Sequence, residues 1–362
     1  MKAKKLVATV MTLAMLVGTL AACGSSQTAA PAAAEPAAKT EEAAAEPEEE
    51  KEEKSDALEG EKTNIIIGSV LNAGSPENEA MQWILDTLNE KSGGNITGTL
   101  YEGGSIGSES ELLEQCRNND CQITMTSLVG IDKFAPEYNT ISVPYLYASQ
   151  DQIRKSWEGP IGENIRKKFE ENGMYYDGII FRGNRSLTAN EIIDTPDKLK
   201  GFKLRLPETQ QWVTVWGGMG ALPTPTAASE TFSALQTGVV DGQENNITSN
   251  YNKGIWQVQK YTLLTNHVVD TYIFCWSKEW YDGLSKDYQN LVYETILEAA
   301  ERATKNTADK EAELRAEMEA NGMEFVDVDI AKFKEAALPF IEKVAEGWAD
   351  GVYDQAMADT AE

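Results

Sequence analysis

The sequence predicts an α/β fold, and three observations lead to this prediction. Residues 64–127 repeat the order strand, polar loop, helix. Residues 201–250 give a strand, two helices, a second strand and a polar loop. A single helical pattern, rich in Ala and Glu, runs over residues 285–321, and at the usual helical rise it would be about 55 Å long. The 362 residues allow a body of two lobes, which a helix of that length could cross.

The N-terminus has the pattern of an export signal. Three lysines among the first five residues precede an apolar run over residues 6–22, which ends in Leu-Ala-Ala before Cys23. This ending resembles a bacterial lipoprotein signal, so we expect residues 1–23 to form a signal peptide with Cys23 as the lipidated residue. The alternative is an uncleaved membrane anchor, but 17 residues are at the short limit for spanning a bilayer.

Residues 24–60 consist mainly of Ala, Glu and Pro and are predicted to form a disordered acidic tether. The leader carries a charge of +3 and the tether holds 11 acidic against 3 basic residues, so −21 of the total charge of −26 falls on residues 61–362. A body that acidic would be repelled by nucleic acid and by anionic lipid. We therefore expect no nucleic-acid partner, and membrane contact only through Cys23.

Cysteine and histidine are too few for most redox, metal or hydrolytic sites. After Cys23, only Cys116, Cys121 and Cys275 remain, an odd number with no Cys-x-x-Cys pair. We expect buried free thiols, and a bridge between Cys116 and Cys121 stays open as the alternative. His267 is the single histidine, which argues against Ser-His-Asp triads and His-rich metal sites. We expect His267 to be structural, and neither a metal nor a cofactor to be bound.

The first part of the body is predicted to alternate strands and helices. Ser75 and Pro76 suit the N-cap and the first position of the first helix. The glycine-rich loop over residues 103–109 lacks the Gly-Lys-Ser/Thr ending of a phosphate loop. From residue 64 to residue 200, the predicted elements are strands at 64–68, 96–101, 122–127 and 174–181, helices through 81–88, 112–116 and 153–172, and a loop at 184–188.

The central stretch is predicted to bring two polar residues to strand ends. Apolar residues alternate over 202–206, and Pro207 ends that strand because it cannot donate to a ladder. Arg205 and Asn245 would then lie at the ends of strands, where open α/β sheets hold ligands. The remaining predicted elements are helices at 212–219 and 229–237, a turn at 224–226, a strand at 239–240, a polar loop at 241–246, a helix start at 251–260, strand-like runs at 261–276, and helices at 285–321 and 334–348.

Three sequence blocks carry a resemblance to a known family. They are Gly201-x-Lys203-x-Arg205, Gly220-Ala221-x-Pro223-Thr224-Pro225, and Ala234-Leu235-Gln236-x-Gly238-x-x-Asp241-Gly242-Gln243-Glu244-Asn245. Together they resemble the extracytoplasmic solute-binding proteins of tripartite ATP-independent periplasmic (TRAP) transporters, a dicarboxylate- and sialic-acid-binder-like family. The resemblance continues in register from about Asn64 to the C-terminus.

The resemblance implies a two-lobed fold like that of periplasmic binding proteins (a Venus flytrap), with the long helix spanning both lobes. It places lobe I at 61–182 and 271–310, and lobe II at 183–270 and 311–362. It further implies an extracytoplasmic, membrane-anchored monomer that performs no catalysis and hands its ligand to TRAP membrane subunits.

Arg205 is the first candidate ligand contact. An arginine fork meets a carboxylate with two parallel hydrogen bonds, which lysine cannot reproduce. On pattern alone, a structural salt bridge would explain Arg205 equally well. The resemblance implies that Arg205 holds the ligand carboxylate, with Arg185 and Asn245 beside it. For Glu244, and for its neighbour Gln243, ligand contact and support of Asn245 and Arg205 stay open as equal alternatives.

Four further residues are candidates. Asn72, Glu109 and Ser127 resemble positions that reach hydroxyls or amides in the sialic-acid binders of the family. That subgroup, however, has an acidic residue where Ser127 stands and an aromatic residue where this chain has Ala227-Ala228. Trp212 is either an aromatic platform for a sugar face or part of a helix core.

We therefore expect the protein to bind a small organic acid, a sugar acid such as a hexuronate above others. Sialic acids, C4-dicarboxylates and 2-oxo acids are the alternatives in the same role. Two other classes stay open, namely a tethered ligand sensor and an enzyme that uses Glu109 and Glu244 as paired carboxylates.

Overall fold

The computed structural model describes Leu58 and residues 60–361, and all structural statements below concern these residues. The predicted signal peptide, Cys23 and nearly all of the predicted tether lie outside them. Within the described residues, nine strands form one mixed sheet. They are β1 (Thr63–Gly68), β2 (Ile96–Tyr101), β3 (Ile123–Thr126), β4 (Met174–Ala189), β5 (Lys203–Leu206), β6 (Leu222–Pro225), β7 (Gly242–Asn245), β8 (Tyr261–Ser277) and β9 (Glu324–Asp327).

Twelve α-helices cover this sheet over the same described range. They are α1 (Pro76–Lys91), α2 (Glu109–Arg117), α3 (Leu128–Phe134), α4 (Gln150–Glu158), α5 (Pro160–Glu171), α6 (Gln210–Gly218), α7 (Thr231–Gln236), α8 (Ile247–Asn252), α9 (Lys278–Asp282), α10 (Lys286–Ala320), α11 (Ile330–Ala345) and α12 (Val352–Thr360). None of these helices combines the length and the apolar character needed to cross a bilayer.

Two long strands join the two halves of the sheet. The strand order is β2-β1-β3-β8-β4-β7-β5-β6, with β9 added to β8. β1 pairs in parallel with β2 and β3, and β5 pairs in parallel with β6 and β7. The 16-residue β4 and the 17-residue β8 pair with each other antiparallel and run through both halves. Their ladder has register shifts, one of them between Phe181 and Asn184.

Apolar residues form two large clusters against the sheet. One cluster packs α1 and α10 with Ile65, Ile180 and Phe274. The other packs α4, α5, α6 and α11 with residues such as Leu204 and Trp216. Both clusters include residues of the long strands, and the second one contains residues from both halves of the sheet, such as Cys275 and Leu204.

Several local predictions are confirmed. The Ser75 side chain caps α1, with Pro76 in the first turn. The long helix begins after its N-cap Ser285 and ends before Gly322, which has a φ of 95°. At that φ a side chain would be strained. The three described cysteines are free and buried, and the sulfurs of Cys116 and Cys275 lie 3.9 Å apart.

Other local predictions are wrong. The helix predicted over 153–172 is divided into α4 and α5 at Gly159-Pro160, because Pro cannot continue the helical hydrogen bonds. The loop predicted over 184–188 belongs to β4. The turn predicted over 224–226 is largely β6, which pairs with β5.

The prediction of a strand at 239–240 is also wrong, and the stretch predicted as a polar loop over 241–246 contains β7. Val239 is 58 % exposed, whereas β7 lies buried between β4 and β5. Buried polar groups need hydrogen-bond partners, and β7 has them: Gln243 donates to the Thr188 hydroxyl at 2.9 Å and to Asn250 Oδ1 at 3.0 Å.

Candidate functional site

A small cavity of about 30 Å³ lies where strand ends from both halves of the sheet meet. β5 and β7 run parallel, so their ends bring Arg205 and Asn245 to the same edge. The lining consists of Leu71, Glu109, Ser127, Val129, Arg185, Arg205, Pro207, Glu208, Thr226, Ala227, Ala228, Asn245, Ser249, Lys253 and Tyr272.

Arg205 presents a buried guanidinium without a carboxylate partner. It is 2 % exposed, and among the described residues it forms no salt bridge. Its recorded hydrogen bonds run to Thr226, from Nη2 to the carbonyl oxygen and from Nε to the hydroxyl at 3.4 Å. Burial, together with the nearby Arg185, lowers the pKa of Arg205 to about 10 despite the attraction of Glu244. The charge is therefore poorly compensated.

Arg185, in contrast, is fully engaged by protein carboxylates. Its Nε and Nη2 donate to the two oxygens of Glu244 at 2.6 and 2.9 Å, and its Nη1 donates to Asp270 at 2.9 Å. Burial alone would lower the pKa of Arg185, but Glu244 and Asp270 outweigh it and raise that pKa. Although Arg185 lines the cavity, its charge is already neutralised.

A third buried arginine, Arg182, was not predicted from the sequence. It pairs with Glu77 of α1 and with Asp270, at 2.9 Å, and it donates to the Ser249 hydroxyl at 2.7 Å. Its guanidinium also lies 4.1 Å from the ring centre of Tyr272. Asp270 thus bridges two arginines, one oxygen to each, and only spatial proximity could have revealed this arrangement.

Glu244 faces Arg185 and His267, and it is not on the cavity lining. The Nε2 atom of His267 is 3.0 Å from Glu244 Oε2, and its Nδ1 is 2.9 Å from the Thr265 hydroxyl. A carboxylate only accepts, so Nε2 carries the hydrogen and Nδ1 accepts from Thr265. Burial lowers the pKa of His267. These contacts agree with a structural histidine. Glu244 supports Arg185 through hydrogen bonds, and it acts on Arg205 only through its charge.

Glu109 and Ser127 form a hydrogen-bonded pair on the opposite side of the cavity. Oε1 of Glu109 accepts from the Ser127 backbone nitrogen at 2.6 Å, from its hydroxyl at 2.9 Å, and from the Thr126 hydroxyl. Burial raises the pKa of Glu109, although these donors oppose the shift. Ser127 is also the N-cap of α3, which fixes the position of both groups.

Asn245 and Asn72 differ in their position relative to the cavity. Asn245 is half-buried at the end of β7 and lines the cavity, and its Oδ1 accepts from the Asn246 backbone nitrogen at 3.0 Å. Asn72 is exposed and is not part of the lining. Its Nδ2 donates to the Asn252 carbonyl oxygen at 3.1 Å, which links the loop before α1 to the end of α8.

Of the two alternatives for Trp212, the structure agrees with the helix core, and the listing of Trp212 among the ligand contacts needs correction. Its side chain is fully buried in the core, and its Nε1 donates to the Ser142 carbonyl oxygen at 2.7 Å. One face lies 5.3 Å from the Arg185 guanidinium, and the ring meets His267 edge-on. Trp212 therefore packs behind Arg185 and does not line the cavity.

Lys253 and Tyr272 are cavity residues that the sequence did not reveal. Lys253 follows α8, and its ammonium donates to the Ala228 carbonyl oxygen at 2.9 Å. Tyr272 belongs to β8 and is 5 % exposed, and its hydroxyl has no hydrogen-bond partner among the described residues. The sequence does not indicate that these residues line a cavity, because a lysine after a polar helix and a tyrosine in an apolar strand are common in other positions.

The cavity is suited to an anion that also carries hydroxyl groups. Arg205 without a carboxylate partner among the described residues, the Lys253 amine and several neutral donors and acceptors face it, together with the carboxylates of Glu109 and the exposed Glu208. An arginine without a carboxylate partner can take a carboxylate in two parallel bonds.

A protein-family model described as bacterial extracellular solute-binding protein, family 7, matches residues 67–347. Curated relatives include a solute-binding protein of Roseobacter denitrificans, 33 % identical over 274 residues, which are 74 % of this chain and 84 % of that protein. They also include the sialic acid-binding periplasmic protein SiaP of Vibrio cholerae, 27 % identical over 78 % of this chain and 88 % of that protein.

Similar solved structures are TRAP periplasmic solute-binding proteins. One, from Pseudomonas putida F1 with bound D-glucuronate, has a TM-score of 0.77 and 29 % identity and covers 83 % of this chain and 98 % of that one. Another, from Roseobacter denitrificans OCh 114 with bound L-galactonate, has a TM-score of 0.78 and 29 % identity and covers 83 % and 99 % of the two chains.

Proposed function

This chain belongs to bacterial extracellular solute-binding protein family 7, the two-lobed TRAP solute-binding proteins, which are not enzymes, and on that premise we propose that it captures a sugar acid. A hexuronate is the ligand class we favour. The captured acid is then delivered to the membrane subunits of a TRAP transporter.

One observation carries the proposal, namely that Arg205 has no carboxylate partner within the part of the chain that the structure describes. Arg182 and Arg185 each pair with two acidic residues, whereas Arg205 has only the hydroxyl and carbonyl of Thr226. A hydrogen bond to a charged group contributes about 1.5–3 kcal/mol. A ligand carboxylate at Arg205 would gain such bonds and would relieve the cost of a buried, unpaired charge.

The rest of the lining supports a hydroxylated acid over a simple one. Asn245, Ser127 and the Tyr272 hydroxyl can donate to or accept from sugar hydroxyls, and Glu109 can accept from them. Similar structures bind D-glucuronate and L-galactonate, both of which combine a carboxylate with several hydroxyls.

Closure of two lobes would complete the site. Lobe I would comprise 61–182 and 271–310, and lobe II 183–270 and 311–362. The register shift between Phe181 and Asn184 falls at the first of these boundaries, where bending of the ladder disturbs the pairing least. A shift of the open–closed ratio from about 1:99 to 99:1 takes about 5.5 kcal/mol of differential affinity, which a few charge-assisted bonds supply.

Anchoring of the protein forms part of the proposal. We expect Cys23 to be lipidated and residues 24–60 to tether a monomeric body to the outer face of the cell membrane. Metabolic labelling with a fatty-acid analogue, compared between the wild-type protein and Cys23→Ser, tests this anchoring.

A thermal-shift panel tests the ligand class. Uronates, aldonates, sialic acids, C4-dicarboxylates and 2-oxo acids are each added to the wild-type protein, to Arg205→Ala and to Arg205→Lys. A ligand at 100 times its Kd stabilises a protein by about 2.7 kcal/mol, which gives a clear rise in Tm. We expect the largest rise with uronates or aldonates.

The two Arg205 variants test whether this residue binds the carboxylate, independently of any role in folding. Arg205→Ala should keep its fold but lose the rise for every carboxylate, and Arg205→Lys should recover only part of it, since Lys lacks the fork. Arg117→Ala removes an exposed arginine paired with Glu114 at 2.8 Å and should bind like the wild-type protein. Undiminished binding by Arg205→Ala, or a response confined to dicarboxylates, would refute the proposal.

A further inference from the structure

Lys253 is a basic residue of the cavity lining that has no carboxylate partner over residues 60–361. It forms no salt bridge with any described residue, and its recorded hydrogen bond runs to the Ala228 carbonyl oxygen. An ammonium has three N–H donors, so two remain for other partners. Since Lys253 lines the cavity, these donors are within reach of a bound molecule.

Lys253 and Arg205 are held by the same short segment. Arg205 donates to the Thr226 carbonyl oxygen and Lys253 to that of Ala228. Their acceptors are two residues apart, on a stretch where Ala227 has an extended conformation with φ −55° and ψ 149°. Cα atoms two residues apart in an extended chain are separated by at most about 7 Å. One small molecule can therefore contact both cations.

The protein groups around this ammonium disfavour its charge. Burial and the nearby Arg205, Arg182 and Arg185 act against the charge more strongly than Glu109 favours it, so the pKa of Lys253 is lowered to about 7. The neighbouring charged and titratable groups are Glu109 of α2, Arg182 and Arg185 of β4, Arg205 of β5, and Glu208 and Tyr272 on the lining.

We propose that Lys253 is a second ligand-contacting cation, and that its amine takes up one proton from solvent when a monocarboxylate binds. This inference rests on the proposed function of the site. The proton adds to the neutral amine nitrogen to give the ammonium, and no covalent bond to the ligand forms.

A charge count for the cluster around the cavity favours a monoanion over a dianion. The cluster contains four basic residues and four acidic ones, so it is neutral when all are ionised. The members are Arg182, Arg185, Arg205, Lys253, Glu77, Glu109, Glu244 and Asp270. With one bound carboxylate and a charged Lys253, the sum is −1, and with a neutral Lys253 it is −2. A dicarboxylate adds one further buried negative charge in either case.

The expected pH dependence has a definite sign. Below about pH 7, Lys253 is already charged, and the affinity should not change with pH through this group. Above pH 7, the free protein loses the proton that the complex retains, so the affinity should fall as the pH rises, by up to roughly tenfold per pH unit.

Titration calorimetry with D-glucuronate, D-galacturonate and L-galactonate tests this inference. The tightest of the three is measured from pH 6 to pH 9 in two buffers that differ in ionisation enthalpy, which gives the number of protons taken up. We expect the number at pH 8 to approach one for the wild-type protein. Lys253→Arg stays charged, so it should bind without this uptake, and Lys253→Met should bind at least tenfold more weakly with no uptake. Lys260→Met, which removes a lysine whose side chain is 54 % exposed, should match the wild-type protein.

The outcomes distinguish this inference from the proposed function. Tight uronate binding by the wild-type protein with no proton uptake at pH 8, or uptake that persists in Lys253→Arg, would overturn the inference and leave the proposed function intact. Persisting uptake would assign the proton to Glu109. No binding of any of the three acids would overturn both.

Discussion

Arg185 and Glu244 form a buried bidentate ion pair, with Nε–Oε2 and Nη2–Oε1 distances of 2.6 and 2.9 Å. Both side chains are at most 3 % exposed. Glu244→Ala leaves Arg185 with only part of its compensation, and removal of one partner of a buried pair costs about 3–5 kcal/mol. We expect a loss near the lower end of that range in the free energy of unfolding, measured with urea, because Asp270 still pairs with Arg185.

A matched control for Glu244→Ala is the exposed pair of Glu298 and Arg302, 2.7 Å apart and about half exposed. Glu298→Ala should change the free energy of unfolding by less than about 1 kcal/mol. If Glu244→Ala and Glu298→Ala lower the free energy of unfolding by equally small amounts, Glu244 does not stabilise Arg185 in solution.

His267 should make the free energy of unfolding depend on pH as the pH falls below about 6.5. Burial holds its pKa below the usual 6.5 in the folded protein, so the unfolded chain binds the proton more readily. Its contribution is complete above pH 6.5 and is lost as the pH falls towards the folded pKa, by up to about 1.4 kcal/mol per pH unit. His267→Gln should flatten this part of the profile, as measured by urea unfolding at several pH values.

Below about pH 4.5 the free energy of unfolding should fall further, both in the wild-type protein and in His267→Gln. Arg185 holds the pKa values of Glu244 and Asp270 below their usual range against the effect of burial, so their stabilisation disappears as they become protonated. A wild-type profile that is flat from pH 7 to pH 5 would contradict the contribution of His267.

Trp212→Phe should weaken the fold without changing which acid binds best. The change removes the N–H that donates to the Ser142 carbonyl at 2.7 Å, and an unsatisfied buried acceptor costs about 1–3 kcal/mol. The ring face next to Arg185 is kept. Urea unfolding and the ligand panel measure the two effects separately. A reordered ligand preference would show that Trp212 reaches the ligand.

Gly242→Ala should destabilise the protein through the ladder that carries Asn245. A Cβ at this position would lie 2.3 Å from the Thr188 carbonyl oxygen and 2.5 Å from the Phe202 ring. Overpacking of this kind costs about 1–3 kcal/mol. Thermal unfolding measures the loss, and the affinity for the preferred acid should fall as well. Gly347→Ala is the control, since its new Cβ would meet the nearest atom at 3.5 Å.

The three described thiols should be unreactive in the folded protein. All are buried, and burial raises the pKa of Cys116 and raises that of Cys121 to about 12, which removes the reactive thiolate. In the Cys23→Ser variant, a disulfide reagent such as Ellman's should find no thiol within minutes and three after unfolding in guanidinium. Rapid reaction of the native protein would contradict this burial.

Much of the fold followed from local patterns in the sequence. β1, β5 and the caps of α1 and α10 depend on alternation and on neighbouring residues, which a sequence contains in full. β7 could not be predicted from local patterns, because the hydrogen-bond partners of its buried polar residues lie in other elements. These partners are Thr188, Asn250 and Arg185. A polar strand of that kind has the composition of a loop.

For the cavity, the strand-end rule and the family blocks led to Arg205, Arg185 and Asn245, and all three line it. The distinction between paired and unpaired arginines was beyond sequence reasoning. It depends on Asp270, which comes 85 residues after Arg185 in the chain and lies 2.9 Å from it. Lys253 was missed for the same reason, since its role depends on which charges surround it.

Because β4 and β8 run through the whole sheet, neither half of the protein can be removed without disrupting the other. Because both strands supply residues to each half of the sheet, a truncation that deletes either half would strip their partners and leave bare strand edges that invite aggregation. Chimaeras with related proteins should accordingly exchange loops and helices at the cavity rim and keep these two strands from a single parent.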